Sequence, residues 1–427
     1  MTAKKEVAAV SKGLRKAGIF DREGDMDAKT RIGRPLILGL LAVLLAGSAA
    51  PQAAQPDVPR AYARLYSLLD RQLTAVERHF DRRGPVTSAT VYTPELLSAN
   101  SNTGENMLRP QAFQGSLLLV KRFKEMGFKA VWISLDYPML LPEFPRAAEY
   151  LDFYKRVTAA VRAEGLGVCL DLGAFFPRGT FSQVDWDYSG ETVESFSRKA
   201  REQVDIILRE IRPDFLGIFN EPDTQSRNTG LDFNVANLRT FARTVLEGLD
   251  RGRTRIGLGA GTWSPLEVFE MIARDTTVDV LDLHLYPMSG DLMTDKIDRI
   301  AALASRHGKR LVFGESWLYK AGPGELQGNI AAWDKVFARD VFDFWEPLDG
   351  RFIAALMRIC RAHDAAYCNF FWSQYFFAYI PYSPTTAGLP PDKLFALIRE
   401  NAARNIVSGT YSGLGEAVIG LLRRRSP

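Results

Sequence analysis

The sequence predicts an α/β fold, a (β/α)8 TIM barrel with an N-terminal helical extension. Short apolar runs typical of buried strands alternate with amphipathic helical patterns over residues 84–403. No glycine-rich phosphate loop follows the first run, which argues against an open doubly wound sheet. The 427 residues, 46% of them hydrophobic, suffice for one large barrel. We therefore assign residues 84–427 to a single barrel domain.

The first predicted element is an amphipathic helix within residues 57–83, ahead of the barrel. Its apolar residues recur every three or four positions, which places them on one helical face. These residues are Tyr62, Leu65, Leu69, Leu73, Val76 and Phe80. We expect this helix to brace the barrel.

Strands and helices then follow one another along the chain. The predicted strands are 86–92, 130–135, 167–172, 215–221, 256–260, 278–285, 310–315 and 367–372. The predicted helices are 110–126, 146–164, 191–211, 234–249, 265–273, 296–307, two stretches within 330–362, and 391–403. This order predicts eight parallel strands, each joined to the next by helical connections.

Residues 1–56 have the order of an export signal with a long n-region. Arg31 and Arg34 precede the strongly apolar run 36–45, and small residues follow it within a charge-free stretch, 35–56. That stretch is close to the ~20 residues that span a bilayer, so an uncleaved membrane anchor is the alternative. Either form predicts a secreted or extracytoplasmic protein, periplasmic or extracellular. Met26 is an alternative start.

Composition excludes several classes of function. A formal charge of +4 spread over the chain argues against nucleic acid as a partner. Four histidines and three cysteines without ligand-like spacing predict no metal site. We therefore expect no cofactor, and no membrane contact except through the N-terminal segment; the sequence does not predict the oligomeric state.

Two predicted strands end in a glutamate. Glu221 closes the fourth strand and Glu315 closes the seventh. In a TIM barrel the carboxyl ends of all strands meet at one mouth, where catalytic groups gather. Two carboxylates separated by a sugar-sized gap are what hydrolysis of a glycosidic bond requires. The pattern therefore predicts Glu221 and Glu315 as catalytic residues.

Aromatic and hydrogen-bonding residues cluster at the same predicted mouth. Flat aromatic rings suit the apolar faces of sugars, and alternation along the sixth strand puts His284 and Tyr286 on one face. Tyr286 is placed to donate a hydrogen bond to a nucleophilic carboxylate. We predict contacts with a carbohydrate substrate for Asn220, His284, Tyr286, Trp317, Trp372, Tyr137 and Trp263.

This set resembles the clan A glycoside hydrolases, the cellulase- and mannanase-like barrel enzymes. The resemblance covers residues 84–403 by pattern. Its specific residues are Asn220-Glu221-Pro222 at strand four, His284-Leu285-Tyr286 at strand six, Glu315 at strand seven and Trp372 at strand eight. It implies a retaining double displacement with Glu221 as general acid/base and Glu315 as nucleophile. It also implies a raised pKa for Glu221 and an ionised Glu315.

The chain departs from that family at two strand ends. Many members carry an arginine after strand two and a histidine after strand three, where this chain has Asp136-Tyr137 and Ala174-Phe175. The family's substrate contacts therefore cannot be transferred. A catalytically silent glycan-binding barrel, a transglycosylase using the same carboxylates, and a metal-assisted barrel hydrolase remain alternatives.

Overall fold

A computed structural model describes residues 57–81, 88–97, 100–179, 182–287, 294–325 and 333–424. The predicted export signal, residues 1–56, lies outside the described residues. Within the described ranges, no helix combines the length and apolar character needed to cross a bilayer.

Eight parallel strands close into one barrel in chain order, which confirms the predicted fold class. The strands are β1 Val91–Leu97, β2 Ala130–Ser134, β3 Gly167–Asp171, β4 Phe215–Gly217, β5 Arg255–Gly261, β6 Val280–Leu285, β7 Arg310–Ser316 and β8 Tyr367–Phe370. β1 pairs with both β2 and β8, so the sheet has no free edge.

Helices surround the barrel within the described ranges. They are α1 Ala63–Asp81, α2 Pro110–Met126, α3 Ala147–Ala163, α4 Val193–Glu210, α5 Pro222–Thr229, α6 Val235–Leu246, α7 Leu266–Asp275, α8 Thr294–Arg306, α9 Trp333–Phe337, α10 Glu346–Ala362, α11 Pro384–Ala387, α12 Pro391–Ser408 and α13 Gly413–Arg423. Short 3-10 turns lie at Asn100–Leu108, Ala338–Val341, Asp343–Trp345 and Ser373–Phe376.

The prediction of β1 as residues 86–92 is wrong in position. The strand runs from Val91 to Leu97, and Val91 pairs with Tyr367 of β8. Its second half carries Thr93 and Glu95, which are 0% and 1% exposed. These polar side chains are buried in the barrel, so a search for apolar residues ends the strand too early.

Large apolar side chains fill the amino-terminal half of the barrel. Trp132 of β2 lies against Phe215 of β4, with ring centroids 5.2 Å apart. Cys169, Val280 and Val312 complete this layer at the starts of their strands. Because this end is packed, the carboxyl-terminal mouth is the end of the barrel interior that is open to a ligand.

The N-terminal helix α1 belongs to the same compact unit as the barrel, residues 59–427. Its buried face includes Leu69 and Leu73. Close to Leu73 along the helix, Arg351 of α10 donates to the carboxylate of Glu77 at 2.9 Å. His79 near its end lies 2.9 Å from a carboxylate oxygen of Asp298 on α8. α1 is therefore attached by apolar packing and by polar contacts to two barrel helices.

Candidate active site

Glu221 and Glu315 lie at the same mouth of the barrel. Glu221 follows β4 and has a left-handed backbone, φ 49°, immediately before Pro222 starts α5. A non-glycine residue with positive φ is strained, and such residues cluster at functional sites. The side chains of Glu221 and Glu315 are 15% and 22% exposed, so both are reachable from solvent.

A β-bulge in β7 turns Glu315 into the barrel. Val312 faces the barrel core, so simple alternation would point residue 314 inward and Glu315 outward. The pairing with β6 shifts by one residue at Gly314, so that Glu315 lies opposite His284. One extra residue in the strand therefore aims the carboxylate at the mouth.

His284 holds the two glutamates together. Its Nδ1 lies 2.8 Å from Oε1 of Glu221 and 3.4 Å from Oε2 of Glu315. These two distances set an upper limit of about 6.2 Å on the separation of the two carboxylate oxygens. The two acids thus face each other across a narrow gap.

Tyr286 anchors the second glutamate. Its hydroxyl donates to Oε2 of Glu315 at 2.6 Å. Its ring stacks on Tyr319 with a centroid distance of 4.3 Å and an interplanar angle of 8°. The hydroxyl is thereby held in place by a packed ring, and it stabilises the ionised carboxylate.

Glu221 has a second hydrogen-bond donor that the sequence analysis missed. The hydroxyl of Thr224, in the first turn of α5, donates to Oε2 of Glu221 at 2.7 Å. Arg227 in turn donates to the Thr224 oxygen at 2.8 Å. With His284 on Oε1, both oxygens of Glu221 are hydrogen-bonded.

Asp171 at the end of β3 organises the floor of the site. Its Oδ1 accepts from Asn220 Nδ2 at 2.5 Å, and its Oδ2 lies 3.7 Å from Nε2 of His284. A Cβ at Gly217 would lie 2.2 Å from this carboxylate, so residue 217 must be glycine. Asn220 is 3% exposed, as is His284. The Asn220 amide nitrogen orients Asp171, while its Oδ1 has no hydrogen-bond partner within the described residues, so its contact with substrate stays a prediction.

Asp282 lies deeper, on the same face of β6 as His284. Its Oδ1 accepts from the backbone N–H of Gly314 at 2.8 Å. Burial, together with the nearby Asp171, raises the pKa of Asp282 to about 8. This shift favours the protonated form of Asp282, which limits negative charge beneath Glu221 and Glu315.

The carboxylates around His284 favour its protonated form. Burial lowers its pKa, but Glu315, Asp171 and Glu221 outweigh burial and raise the pKa well above its usual value. Burial raises the pKa of Glu221, but the hydrogen bonds from His284 and Thr224 bring it below the usual value. Burial and the charge of Glu221 raise the pKa of Glu315 to about 7. Both directions are the reverse of those that the resemblance implies, because His284 donates to Glu221.

Within the described residues, two groups of side chains offer ligand atoms close enough for a cation. One is Asp171, His284 and Glu315, and the other is His79, Asp295 and Asp298. In the first group, His284 contacts both Asp171 and Glu315, and Tyr286 donates to Glu315.

Two of the predicted tryptophans border the site. The Trp263 indole N–H donates to Asp223 Oδ2 at 3.1 Å, and its ring lies 6.1 Å from that of Tyr286. Trp372 follows β8 and packs against Phe371 at 4.7 Å, which in turn contacts Tyr286. Both indoles are half-buried. They remain candidates for contacts with substrate.

Trp317 and Tyr137 lie elsewhere, which corrects two predictions. Trp317 is 0% exposed and stacks on Tyr375 at 5.3 Å. Tyr137 is 3% exposed, packs against Phe196 at 4.5 Å and bonds Glu191. Position at a strand end did not decide their surroundings, because Phe196 of α4 packs on Tyr137 and Tyr375 of a 3-10 turn packs on Trp317.

Trp317→Ala is expected to lower the free energy of unfolding by about 3 to 5 kcal/mol, because a large buried ring leaves a cavity. Lys320 Nζ, 4.9 Å over the ring, would also lose its aromatic partner. Urea denaturation would measure the change, with Trp372→Ala at the half-buried mouth position as the matched control. A change below about 1 kcal/mol for Trp317→Ala would contradict the assignment to the core.

Comparison by sequence gives no match: no family model and no curated protein matches this chain. Solved structures do resemble it. One is a variant of a GH5_18 protein from Bifidobacterium longum subsp. longum in complex with Manb1-4GlcNAc. It has a TM-score of 0.52 and 11% identity, over 79% of this chain and 78% of that one.

Two further barrels are similar at lower TM-scores. An exo-β-1,4-mannosidase from Opitutaceae bacterium strain TAV5 has a TM-score of 0.49 and 13% identity, over 78% of this chain and 59% of that one. A family 5 xyloglucanase from Paenibacillus pabuli has a TM-score of 0.44 and 11% identity, over 73% of this chain and 98% of that one. At these identities the likeness shows the barrel fold alone.

Proposed function

We propose that this chain is a retaining glycoside hydrolase that cleaves a β-linked polysaccharide or oligosaccharide. The observation that carries the proposal is the convergence of Glu221 and Glu315 on one nitrogen of His284. The resulting limit of about 6.2 Å between their oxygens suits a nucleophile and an acid/base. Retaining enzymes separate the two carboxyl groups by about 5 to 5.5 Å and inverting ones by about 6.5 to 9.5 Å.

In the first step, Glu315 attacks the anomeric carbon. Tyr286 holds Oε2 of Glu315, so Oε1 forms the new bond while the glycosidic C–O bond breaks. The leaving oxygen takes a proton from Glu221. His284 supplies that proton along its 2.8 Å contact with Oε1, and becomes neutral as Glu221 becomes an acid.

In the second step, Glu221 acts as a base. It takes a proton from a water molecule, whose oxygen attacks the anomeric carbon and releases Glu315 as a carboxylate. Two inversions at one carbon give net retention. Tyr286 stabilises the departing carboxylate through the hydrogen bond it already makes.

Export forms part of the proposal. The signal-like pattern of residues 1–56 supports a secreted or periplasmic enzyme, with the segment either cleaved or retained as an anchor. Polysaccharides outside the cytoplasm would then be accessible. N-terminal sequencing of the protein from fractionated cells would distinguish the two forms.

A substrate panel tests the activity. The panel includes β-mannosides, because the similar Bifidobacterium barrel was solved with Manb1-4GlcNAc, together with β-glucans and xyloglucan. Release of reducing sugar with the β-anomer formed first, followed by NMR, would support a retaining hydrolase. An α-anomer formed first would contradict the mechanism, and transfer to an added sugar acceptor would indicate a transglycosylase.

A glycan-binding barrel without catalysis is the second candidate. The lack of the strand-two arginine, whose place is taken by Asp136-Tyr137, favours it. Binding to a glycan array with no turnover on the panel would support this candidate.

The raised pKa of Glu315 predicts how activity depends on pH. Glu315 must be ionised to attack, and burial raises its pKa to about 7. For a dinitrophenyl glycoside, whose leaving group needs no acid, kcat/KM is expected to rise about tenfold per pH unit below that value and then level off. Initial rates between about pH 5 and about pH 9 would measure it. A profile that is level from pH 5 upward would contradict the assignment.

A further inference from the structure

We propose that Thr224 is a positioning residue for Glu221: its hydroxyl, oriented by Arg227, holds Oε2, so that Oε1 is the oxygen that exchanges a proton with substrate. This inference rests on the proposed function. It concerns residues of α5 that lie outside the resemblance described above.

Thr224 is placed for this task by the start of α5. Glu221 precedes the helix with a left-handed backbone, and Pro222 begins its first turn. The Thr224 side chain then lies under the Glu221 carboxylate, 2.7 Å from Oε2. Thr224 is only 5% exposed, so water does not compete readily for its hydroxyl.

Arg227 decides which way the Thr224 proton points. A guanidinium has donors only, so the 2.8 Å contact between Arg227 Nη2 and Thr224 Oγ1 uses the hydroxyl oxygen as acceptor. The single hydroxyl proton is then directed to Oε2 of Glu221. An oxygen that accepts this hydrogen bond is the less favourable site for the acidic proton, because the hydroxyl oxygen of a carboxylic acid is a weaker acceptor than its carbonyl oxygen.

The acidic proton of Glu221 is therefore carried on Oε1. This oxygen faces Nδ1 of His284 at 2.8 Å, the proton source proposed above. The two oxygens of one carboxylate thus have separate roles, one fixed by α5 and one free to give and take a proton. Among the contributions to the pKa of Glu221, Thr224 and Arg227 both act to lower it, against the effect of burial.

Arg227 in turn contacts an aromatic residue that follows β7 in the chain. Its guanidinium lies 4.9 Å over the ring of Trp333 in α9, which follows β7. The contacts run from Trp333 through Arg227 and Thr224 to Glu221. The orientation of the acid/base is thus linked to the segment that follows the strand of the nucleophile.

The test compares Thr224→Val with Thr224→Ser on two substrates. With a poor alkyl leaving group, which needs the acid, Thr224→Val is expected to lower kcat/KM about 10- to 100-fold, the effect of one hydrogen bond to a charged group. With a dinitrophenyl leaving group, kcat/KM should change less than about threefold. The descending limb of the pH profile on the alkyl substrate should move to higher pH. Thr224→Ser should restore both.

Two further variants separate positioning from folding. Arg227→Met changes an exposed side chain and should give a smaller effect of the same sign, since the hydroxyl still reaches Oε2. Thr240→Val on the exposed face of α6 is the matched control and should match wild type.

The results distinguish the inference from the proposed function. The inference would be overturned if Thr224→Val lowered kcat/KM equally on both substrates, or if the descending limb of the pH profile did not move. Either result would leave the hydrolase proposal intact. The inference also fails if Arg227→Met and Thr224→Ser behave as Thr224→Val does. A wild type that cleaves nothing on the panel would overturn both.

Discussion

Glu315→Ala is expected to lower kcat/KM by about 10⁵-fold on every substrate, because the variant cannot form the covalent intermediate. The loss should be the same for good and poor leaving groups, since both need the nucleophile. The fold should be retained. Burial raises the pKa of Glu315, which means that its ionised form is disfavoured in the folded state. The variant removes that unfavourable charge at neutral pH.

Azide makes the test of Glu315 specific. Azide can enter the space left by the carboxylate and attack the anomeric carbon. This single displacement inverts the anomeric centre, so a β-glycoside is expected to give the α-glycosyl azide. Product NMR with a dinitrophenyl glycoside would identify it. Glu270→Gln, an exposed acid on α7, is the control and should be unaffected by azide. The assignment of the nucleophile would be contradicted if Glu315→Ala gave the β-glycosyl azide, or if this variant cleaved substrate at the wild-type rate.

Glu221→Ala is expected to have an effect that depends on the leaving group. Alkyl glycosides need a proton donor, so their kcat/KM should fall about 10²- to 10⁴-fold. Dinitrophenyl glycosides do not, so their first step should proceed close to the wild-type rate. The second step lacks its base, so the glycosyl-enzyme on Glu315 should accumulate. Stopped-flow release of dinitrophenol should show a burst that matches the enzyme concentration, and mass spectrometry should detect the adduct.

Azide should rescue this variant with the opposite stereochemistry. It would attack the glycosyl-enzyme, a second inversion, and give the β-glycosyl azide. The two alanine variants should therefore give different anomers of the glycosyl azide from one substrate. If Glu221→Ala gave the α-azide and Glu315→Ala the β-azide, Glu221 would be the nucleophile and Glu315 the acid/base. If Glu221→Ala lowered kcat/KM equally on alkyl and dinitrophenyl substrates, the assignment of Glu221 as the acid would be wrong.

The barrel could be predicted because its signal is repeated along the chain. Strands such as Ala130–Ser134 and Gly167–Asp171 are mainly apolar runs of ordinary length between amphipathic helices. The exceptions are instructive. α5 has the sequence PDTQSRNT and no apolar stripe, so periodicity cannot find it. α13 begins with two glycines of low helix propensity, and a cap from Ser412 and packing on the barrel stabilise it.

The site could be predicted as far as strand order and alternation reach. Glu221 and Tyr286 lie where the ends of β4 and β6 place them. The contacts of Thr224 and Asp171 could not be predicted, because each depends on a side-chain direction in three dimensions. The two histidines near Asp298 show the same limit: His79 and His363 meet one carboxylate although they are far apart in the chain.

The extra residue in β7 makes the catalytic pair sensitive to chain length. Deleting Gly314 would restore regular alternation with Glu315 still opposite His284, whereas one further residue inserted before Glu315 would turn its side chain toward the surrounding helices. The strand would still be apolar, and every motif residue would still be encoded. A descendant of this gene that gained one codon there would therefore keep every one of these residues in an alignment while the carboxylate of Glu315 no longer faced the mouth. In surveys of such genes, spacing between the glutamates deserves as much weight as their presence.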